Sequence, residues 1–403
     1  MAGAILVQSV PALVFGCYYR TVRFQSLINR SLSELRSKEL FREPDDGSAR
    51  RAVEAAAAQL GVPAIDASSN DYLGLAGRVV SRETLGNPGA AASRLVHGTA
   101  QEHLDLESLL AAWVGAETAL LFASAYSANL GLISALGIAE TVVISDASNH
   151  ASLIDGARLA KAEVRIVPHL DLEAMRRTLS DRQSAKACWV VTESYFSMDG
   201  DGPDLLALRE LCDAYDACLI VDEAHAVGVF GPQGAGRCAE FGVRPDVLTG
   251  ALGKAVGSHG GFVAGSLPLR TYLWNKARSF VFSTAPSPQH AALTRAQVER
   301  VRQGDDLRSS LALNGATLRA QLGDAGLQLA TASFGPIVSV ILGDNRLALD
   351  AAARLRAAGV LAQAIRPPTV PLGSARLRLT VKATFTPDDV KRLAASVVDA
   401  CRA

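Results

Sequence analysis

The sequence predicts an α/β protein, in which a mainly parallel sheet flanked by helices is followed by a smaller C-terminal α/β domain. Three observations support this fold class. From about residue 104, short and almost continuous apolar runs alternate with segments of helical periodicity, which is typical of parallel strands buried on both faces. The pattern changes after residues 283–288, where a long helical region begins. The length of 403 residues is sufficient for two domains.

The composition excludes several classes of partner. Lysine plus arginine and aspartate plus glutamate both number 40, so the formal net charge is zero and favours neither nucleic acid nor an acidic membrane surface. The six cysteines are scattered without a CxxC pair, which argues against a metal site and against a disulfide framework. We therefore expect a metal-free cytoplasmic protein.

The chain begins with an uncharged apolar stretch. Residues 1–22 have no charge before Arg20, contain Pro11 and lack the basic region of a signal peptide. They predict a loosely packed extension, with a weak membrane anchor as the alternative. Residues 23–41 carry apolar groups at helical spacing and predict an amphipathic helix, within an N-terminal helical segment at 23–60.

Residues 61–285 form the predicted large domain. Its apolar runs predict buried strands, and the segments between them predict covering helices. The predicted strands are 141–145, 187–193, 217–223 and 261–265, and the predicted helices are 127–137, 152–160, 171–179 and 204–214.

Residues 286–403 form the predicted small domain. It begins with a helical region at about 289–322 and contains a further helix at about 346–358. Apolar runs at 336–342, 360–368 and 375–381 lie around that helix. Thr386-Pro387-Asp388 is a helix-start signal and predicts a last helix at about 387–401.

Polar side chains follow three of the predicted strands, at the sheet edge where ligands bind in open α/β folds. They are Ser145, Asp146 and His150 after the first, Glu193, Ser197 and Asp199 after the second, and Asp222 and His225 after the third. A single carboxylate there usually caps a helix, and a single histidine is usually structural. Together they predict a ligand site.

Lys254 lies in the glycine-rich stretch 249–261, TGALGKAVGSHGG. Alone, such a lysine is usually a solvated loop tip. At this sheet edge, however, burial would lower its pKa and make the amine a nucleophile and proton carrier. An aspartate such as Asp222, a stacking imidazole and this lysine suit pyridoxal 5′-phosphate (PLP). A cofactor-free Schiff-base aldolase is an alternative.

Seven motifs follow one another along the chain: SSNDYLGLA (68–76), SRLVHGTAQEHLDLE (93–107), DASNHASLIDG (146–156), ESYFSMDGD (193–201), VDEAHAVGVFGPQGAGR (221–237), LGKAVGSHGG (252–261) and FST (282–284). With these motifs in this order, residues 24–403 resemble the α-oxoamine synthases, a family of fold-type I PLP-dependent transferases. The resemblance implies acyltransferase activity in a homodimer with active sites at the subunit interface.

The resemblance also implies a role for each matching residue. Lys254 would form the Schiff base, Asp222 would pair with the ring nitrogen, and His150 would stack on the ring. The other implied cofactor contacts are His225 and Ser197 near the phenolic oxygen, Ser124, Ala125 and Tyr126 at the phosphate, and Thr284 donated by the other subunit. Lys254, His225, His150 and Asp222 are the implied catalytic residues.

The segment at 364–380, AIRPPTVPLGSARLRLT, most resembles the biotin-pathway members of this family. This resemblance implies L-alanine and pimeloyl-CoA or pimeloyl-acyl carrier protein as substrates, with glycine or another acyl thioester as the alternative. Arg378 would bind the carboxylate of the amino acid. Thr369 would lie where the acyl substrate approaches, and Arg42 is a further predicted substrate-binding residue.

Two positions depart from the family pattern. Ala251 stands three residues before Lys254, where the family usually has a hydroxyl residue that contacts the phosphate. Losing one charge-assisted hydrogen bond costs about 1.5–3 kcal/mol unless another group replaces it, and Thr249 is the candidate. Ala125 stands where glycine is common. These departures motivate a second alternative, a PLP-binding relative without synthase activity.

Overall fold

A computed structural model describes residues 22–42, 47–78, 87–182 and 186–402. The extension predicted at 1–22 lies outside these ranges except for residue 22, which begins the first helix.

The strands, numbered in chain order, are β1 Ile65–Asp66, β2 Thr118–Phe122, β3 Thr141–Asp146, β4 Glu163–Val167, β5 Ala187–Glu193, β6 Cys218–Asp222, β7 Val247–Ala251, β8 Gly261–Gly265, β9 Ile337–Gly343, β10 Val360–Leu361, β11 Gln363–Ile365 and β12 Ala375–Thr380. The helices are α1 Val22–Ser37, α2 Ser48–Gln59, α3 Gln101–Val114, α4 Ala125–Leu136, α5 Ala151–Leu159, α6 Leu172–Ser180, α7 Leu205–Ala214, α8 Arg237–Glu240, α9 Leu267–Lys276, α10 Arg278–Val281, α11 Pro288–Arg302, α12 Asp305–Asp324, α13 Asn345–Ala357 and α14 Pro387–Arg402.

The central sheet has seven strands in the order β2-β8-β7-β6-β5-β3-β4. Strands β4, β3, β5, β6 and β7 are parallel, which confirms the predicted mainly parallel sheet. Strand β8 runs antiparallel to both of its neighbours, so its inclusion among the parallel strands was wrong. The reason is that only residues 252–260 join β7 to β8, and a parallel connection needs a longer crossover.

Apolar side chains cover both faces of this sheet. Along β6, Leu219 and Val221 belong to one buried apolar cluster, and Ile220 between them belongs to the other. This arrangement explains why the central strands are continuous apolar runs rather than alternating ones. Strand β4 was missed because it lies at the sheet edge and carries Glu163 and Arg165.

The C-terminal part contains an antiparallel sheet in the order β11-β12-β9. The helical region predicted at 289–322 consists of two helices, α11 and α12, which Gln303 and Gly304 separate. The last helix begins as predicted, because the Thr386 hydroxyl accepts a hydrogen bond from the backbone N–H of Asp389 at 3.2 Å.

The N-terminal segment packs against this C-terminal part. Strand β1 pairs in parallel with β10, and α2 packs against α13. Helix α2 begins at Ser48 and lies within the helical segment predicted at 23–60. The boundary between the two parts at residue 286 stays a prediction.

Candidate active site

A cavity of about 820 Å³ lies where the central sheet meets the C-terminal sheet. Residues that follow strands β3, β5, β6 and β7 line one side, and residues 363–378 line the other. Six of the predicted site residues line this cavity: His150, Ser197, His225, Lys254, Thr369 and Arg378. The cavity is therefore at the sheet edge that the sequence indicated.

Lys254 is in the loop between β7 and β8, and its side chain lines the cavity. The backbone N–H of Gly257 donates to the carbonyl oxygen of Lys254 at 2.8 Å, which closes a tight turn around the lysine. Burial lowers the pKa of the amine to about 8, although the nearby carboxylates Asp222 and Glu193 oppose that shift. The amine can therefore lose its proton near neutral pH.

Asp222, the last residue of β6, is 4% exposed and fixed by two donors. The side-chain amide of Asn129 donates to its Oδ2 at 2.6 Å, and the backbone N–H of Ala224 donates to its Oδ1 at 2.7 Å. Asn129 lies on α4 and donates a second hydrogen bond to Ser152 Oγ at 2.9 Å. The carboxylate is therefore held in one orientation at the end of its strand.

Glu193 is paired with Asp222 in the β5–β6 register, so two buried carboxyl groups end adjacent strands. Burial, and then the charge of Asp222, raise the pKa of Glu193 well above its ordinary value. Glu193 Oε1 accepts a hydrogen bond from the backbone N–H of His150 at 2.6 Å. This contact anchors the start of α5, where His150 is the N-cap residue.

His150 is held by its own helix. The backbone N–H of Ser152 donates to His150 Nδ1 at 3.2 Å, which assigns the ring proton to Nε2. Burial lowers the pKa of His150, as does Lys254, while Asp222 opposes the shift. The rings of Tyr126 and His150 are nearly perpendicular, with the centroids 6.4 Å apart.

His225 is buried, and its Nδ1 lies 2.7 Å from the hydroxyl of Tyr72. Burial holds the pKa of His225 well below its ordinary range, and the charges of Lys254 and Arg378 act in the same direction. Burial also raises the pKa of Tyr72 to about 12. Both groups are therefore neutral at pH 7, and the hydroxyl donates to the imidazole.

Arg378 reaches the site from β12 and is 6% exposed. Its Nε donates to the carbonyl oxygen of Ser197 at 2.5 Å, and its Nη2 donates to Asn70 Oδ1 at 3.0 Å. The neighbouring Arg376 lines the same cavity and forms an ion pair with Asp199. The C-terminal sheet thus supplies two guanidinium groups to the cavity.

The N-terminus of α4 lies next to His150, a residue that lines the cavity, because the Tyr126 ring contacts the His150 ring. Ser124 caps this helix, because its hydroxyl accepts from the backbone N–H of Ser127 at 3.0 Å. A helix N-terminus presents N–H groups that suit a phosphate. Strand β8 passes close beneath, since a Cβ at Gly261 would lie 2.3 Å from the backbone nitrogen of Ala125.

These groups fit PLP. The lysine amine suits the aldehyde, the fixed Asp222 suits a protonated ring nitrogen, and the start of α4 suits the phosphate. The hydroxyl of Thr249 is buried, and no residue in the described ranges accepts or donates a hydrogen bond to it. Ala251, also on β7, is buried and offers no such group.

Two predicted residues lie away from the centre of the cavity. Thr284 is exposed, pairs with Ser93 in an isolated bridge and lines a different cavity of about 290 Å³. Arg42 donates to Thr369 Oγ1 at 2.9 Å, at the rim formed by residues 368–371.

Sequence reasoning missed Tyr72, Asn70, Asn129 and Arg376. The first two stand inside the quoted motif at 68–76, but nothing in that motif indicates their partners His225 and Arg378.

The fold and the site define a class of protein. The model of the aminotransferase class I and II family matches residues 62–397. A solved structure of SPT (serine palmitoyltransferase) with PLP is 30% identical, has a TM-score of 0.80, and covers 84% of this chain and 87% of its own.

Curated relatives show to which group of enzymes within this class the chain is similar. The 8-amino-7-oxononanoate synthase of Marinobacter nauticus is 45% identical over 334 residues, covering 81% of this chain and 84% of that protein. The enzyme of the same name from Acidithiobacillus ferrooxidans is 40% identical over 377 residues, covering 91% and 96%. This chain therefore belongs to the aminotransferase class I and II family and, within it, to the PLP-dependent α-oxoamine synthases. In the described ranges, no helix has the length and apolar character needed to span a membrane.

Proposed function

We propose that this enzyme condenses L-alanine with a pimeloyl thioester to give 8-amino-7-oxononanoate, carbon dioxide and a free thiol, as a step of biotin synthesis. The names of the relatives support the reaction. The observation that carries the proposal is that Lys254, with a pKa of about 8, and Arg378 line one cavity. A proton-transfer group and a carboxylate-binding group are the two functions that activation of an amino acid requires.

PLP, when bound, would supply the electron-withdrawing ring that makes the α-carbon of alanine acidic. Lys254 Nζ would remove the α-proton, because its lowered pKa leaves part of the amine unprotonated near neutral pH. The α-carbon then bonds to the thioester carbonyl, and the carbon–sulfur bond breaks to release the thiol. The thiolate takes up the proton that Lys254 removed, the carboxyl group leaves as carbon dioxide, and one proton from solvent returns to the α-carbon, which completes the balance.

The surrounding residues would orient the reactants. Arg378 would bind the alanine carboxylate, and its contacts with Ser197 and Asn70 fix the guanidinium for that purpose. Neutral His225, held by Tyr72, would donate a hydrogen bond near the phenolic oxygen, beside Ser197. His150 would stack on the ring, and the fixed Asp222 would pair with the ring nitrogen.

The acyl substrate would enter at the rim where Arg42 contacts Thr369. Both side chains are polar groups that can bind a carbonyl or an anion. We assign no preference between pimeloyl-CoA and the pimeloyl-acyl carrier protein.

We also propose a cytoplasmic homodimer in which Thr284 completes the phosphate site of the partner subunit. Its exposed position, outside the cavity of its own chain, supports this role.

The test is an assay of the purified enzyme with PLP that reads the product by mass. Alanine, glycine and serine are each combined with pimeloyl-CoA and with the pimeloyl-acyl carrier protein. We expect 8-amino-7-oxononanoate from alanine, with at least one carrier. A product from glycine or serine alone would overturn the substrate assignment.

Ala251 favours a second candidate, a PLP-binding relative without synthase activity. It predicts bound cofactor and no product from any pair. If Thr249 replaces the missing hydroxyl, Thr249→Val should weaken PLP binding. If the site has simply lost this contact, Thr249→Val should leave PLP binding unchanged.

A further inference from the structure

His169 lies between two loops that supply the active site. Its Nδ1 is 2.9 Å from Asp146 Oδ1, and its Nε2 is 3.2 Å from Asp201 Oδ2. Because a carboxylate oxygen accepts at each ring nitrogen, both nitrogens must carry protons. The ring is therefore an imidazolium that bridges two carboxylates.

Asp146 is fixed through its carboxylate, and Asp201 is fixed through its backbone. Asp146 is 5% exposed and accepts from the backbone N–H groups of Ser148 at 2.7 Å and Leu170 at 2.9 Å. Asp201 is 6% exposed, and its carbonyl oxygen accepts from the backbone N–H of Phe196 at 2.8 Å. The Phe196 ring faces the His169 ring edge-on, with the centroids 4.5 Å apart.

Each carboxylate also belongs to a loop of the site. Asp146 begins the segment 146–150, which ends on His150, and its carbonyl oxygen accepts from the backbone N–H of Asn149 at 3.2 Å. Asp201 ends the segment 193–201, which contains Ser197. We infer that His169 is a positioning residue, whose two ion pairs hold these segments at the spacing that the reaction requires.

The electrostatics support a permanent bridge. Burial alone would lower the pKa of His169, but the hydrogen bonds and charges of Asp146 and Asp201 outweigh it and raise the pKa to about 10. These two carboxylates are the charged groups that face the ring. The imidazolium therefore stays charged through neutral pH and loses its proton in alkaline solution.

The first test is hydrogen exchange of the cofactor-free protein, read by mass spectrometry. His169→Gln removes the charge, and Asp201→Asn removes one partner while keeping its shape. We expect faster exchange in both segments, 146–150 and 193–201. The matched control is Asp171→Asn, the same chemical change two residues from His169, where an amide can still cap α6. Unchanged exchange at either segment in His169→Gln would overturn the inference.

The second test separates positioning from general stability. If the proposed reaction is correct, we expect kcat to fall about tenfold or more in His169→Gln, with a smaller change in KM. In Asp201→Asn the pKa of His169 should fall, so kcat should be lost at a pH lower by about one unit or more than in Asp171→Asn. The ring ¹⁵N shifts of His169 should titrate over the same range. An unmoved pH profile would count against positioning, whereas absence of product in the wild type would bear only on the proposed reaction.

Discussion

Burial in the folded chain destabilises the charged form of the Lys254 amine. Its pKa is about 8 in the fold against an ordinary value of 10.5, because burial outweighs the attraction of Asp222 and Glu193. The cost has a function, since a lysine that stays fully protonated is neither a nucleophile nor a base. The glycine-rich loop makes the arrangement possible by bringing the amine into the cavity rather than into solvent.

Replacing Lys254 by methionine should therefore abolish turnover and stabilise the cofactor-free protein. Between pH 8 and 10.5 the unfolded chain binds more protons at this lysine than the folded chain does. The free energy of unfolding of the wild type should therefore rise with pH through that window. At pH 7 the variant should be more stable by about 1–3 kcal/mol, and its stability should depend less on pH.

Urea unfolding from pH 7 to 9.5 measures both effects. The control is Lys276→Met at an exposed position at the end of α9, which should leave turnover and the pH slope unchanged. A Lys254→Met variant that is less stable than the wild type at pH 7 would show that the lysine charge stabilises the fold.

The sequence could predict the site residues whose type and position in the predicted sheet indicate chemistry. Lys254 and Asp222 were identifiable only in combination, because the glycine-rich loop and the apolar strand end fall at the same predicted sheet edge. Tyr72 was not, because its role exists only through His225, 153 positions away. His169 was missed for the same reason, since its two carboxylate partners are identified by folding and not by spacing.

At the scale of elements, strand β8 and helix α4 approach each other at the proposed phosphate site. A Cβ at Gly261 would lie 2.3 Å from the nitrogen and 2.4 Å from the Cα of Ala125, so neither backbone leaves space for a side chain. Gly261→Ala should push the first turn of α4 away from the strand. We expect PLP to bind about tenfold more weakly or worse, with a stability loss of about 1–3 kcal/mol.

Visible absorbance during PLP titration and urea unfolding of the cofactor-free protein measure the two effects. The matched control is Gly323→Ala on α12, where the new Cβ meets no atom within 4 Å. That variant should gain up to about 1 kcal/mol in stability and bind PLP normally. Equal PLP affinity in the Gly261→Ala variant would remove α4 from the phosphate site.

Strand positions were predictable where both faces are buried, as in β5 and β8, whose predicted and observed bounds agree. Strand direction was not, because β8 reads as the same kind of apolar run as its parallel neighbours. Its direction depends on the length of one loop. Such connections decide topology, whereas periodicity decides only which residues are buried.

At the scale of the whole molecule, the site exists only where distant parts of the chain meet. Arg378 of the second sheet contacts Asn70 and Ser197 of the first part, and Arg42 near the N-terminus contacts Thr369. The family resemblance indicated which residues would converge, and the comparisons confirm the family. Sequence periodicity cannot predict that these residues meet in one site, because their meeting depends on how the two sheets pack.

In the proposed dimer, Thr284 makes the site depend on a second subunit as well. If it completes the partner's site, each site of the dimer combines Lys254 of one protomer with Thr284 of the other. Thr284→Glu should repel the phosphate, and Lys254→Ala should remove the amine, so each variant alone should be inactive. A hybrid dimer of the two variants has one doubly altered site and one intact site. With two affinity tags to purify the hybrid, we expect about half of the wild-type activity per dimer. A mixture in which both tagged chains carry Lys254→Ala is the control and should stay inactive. Hybrids without activity would place Thr284 in the site of its own chain, and full activity of Thr284→Glu alone would place it outside the site.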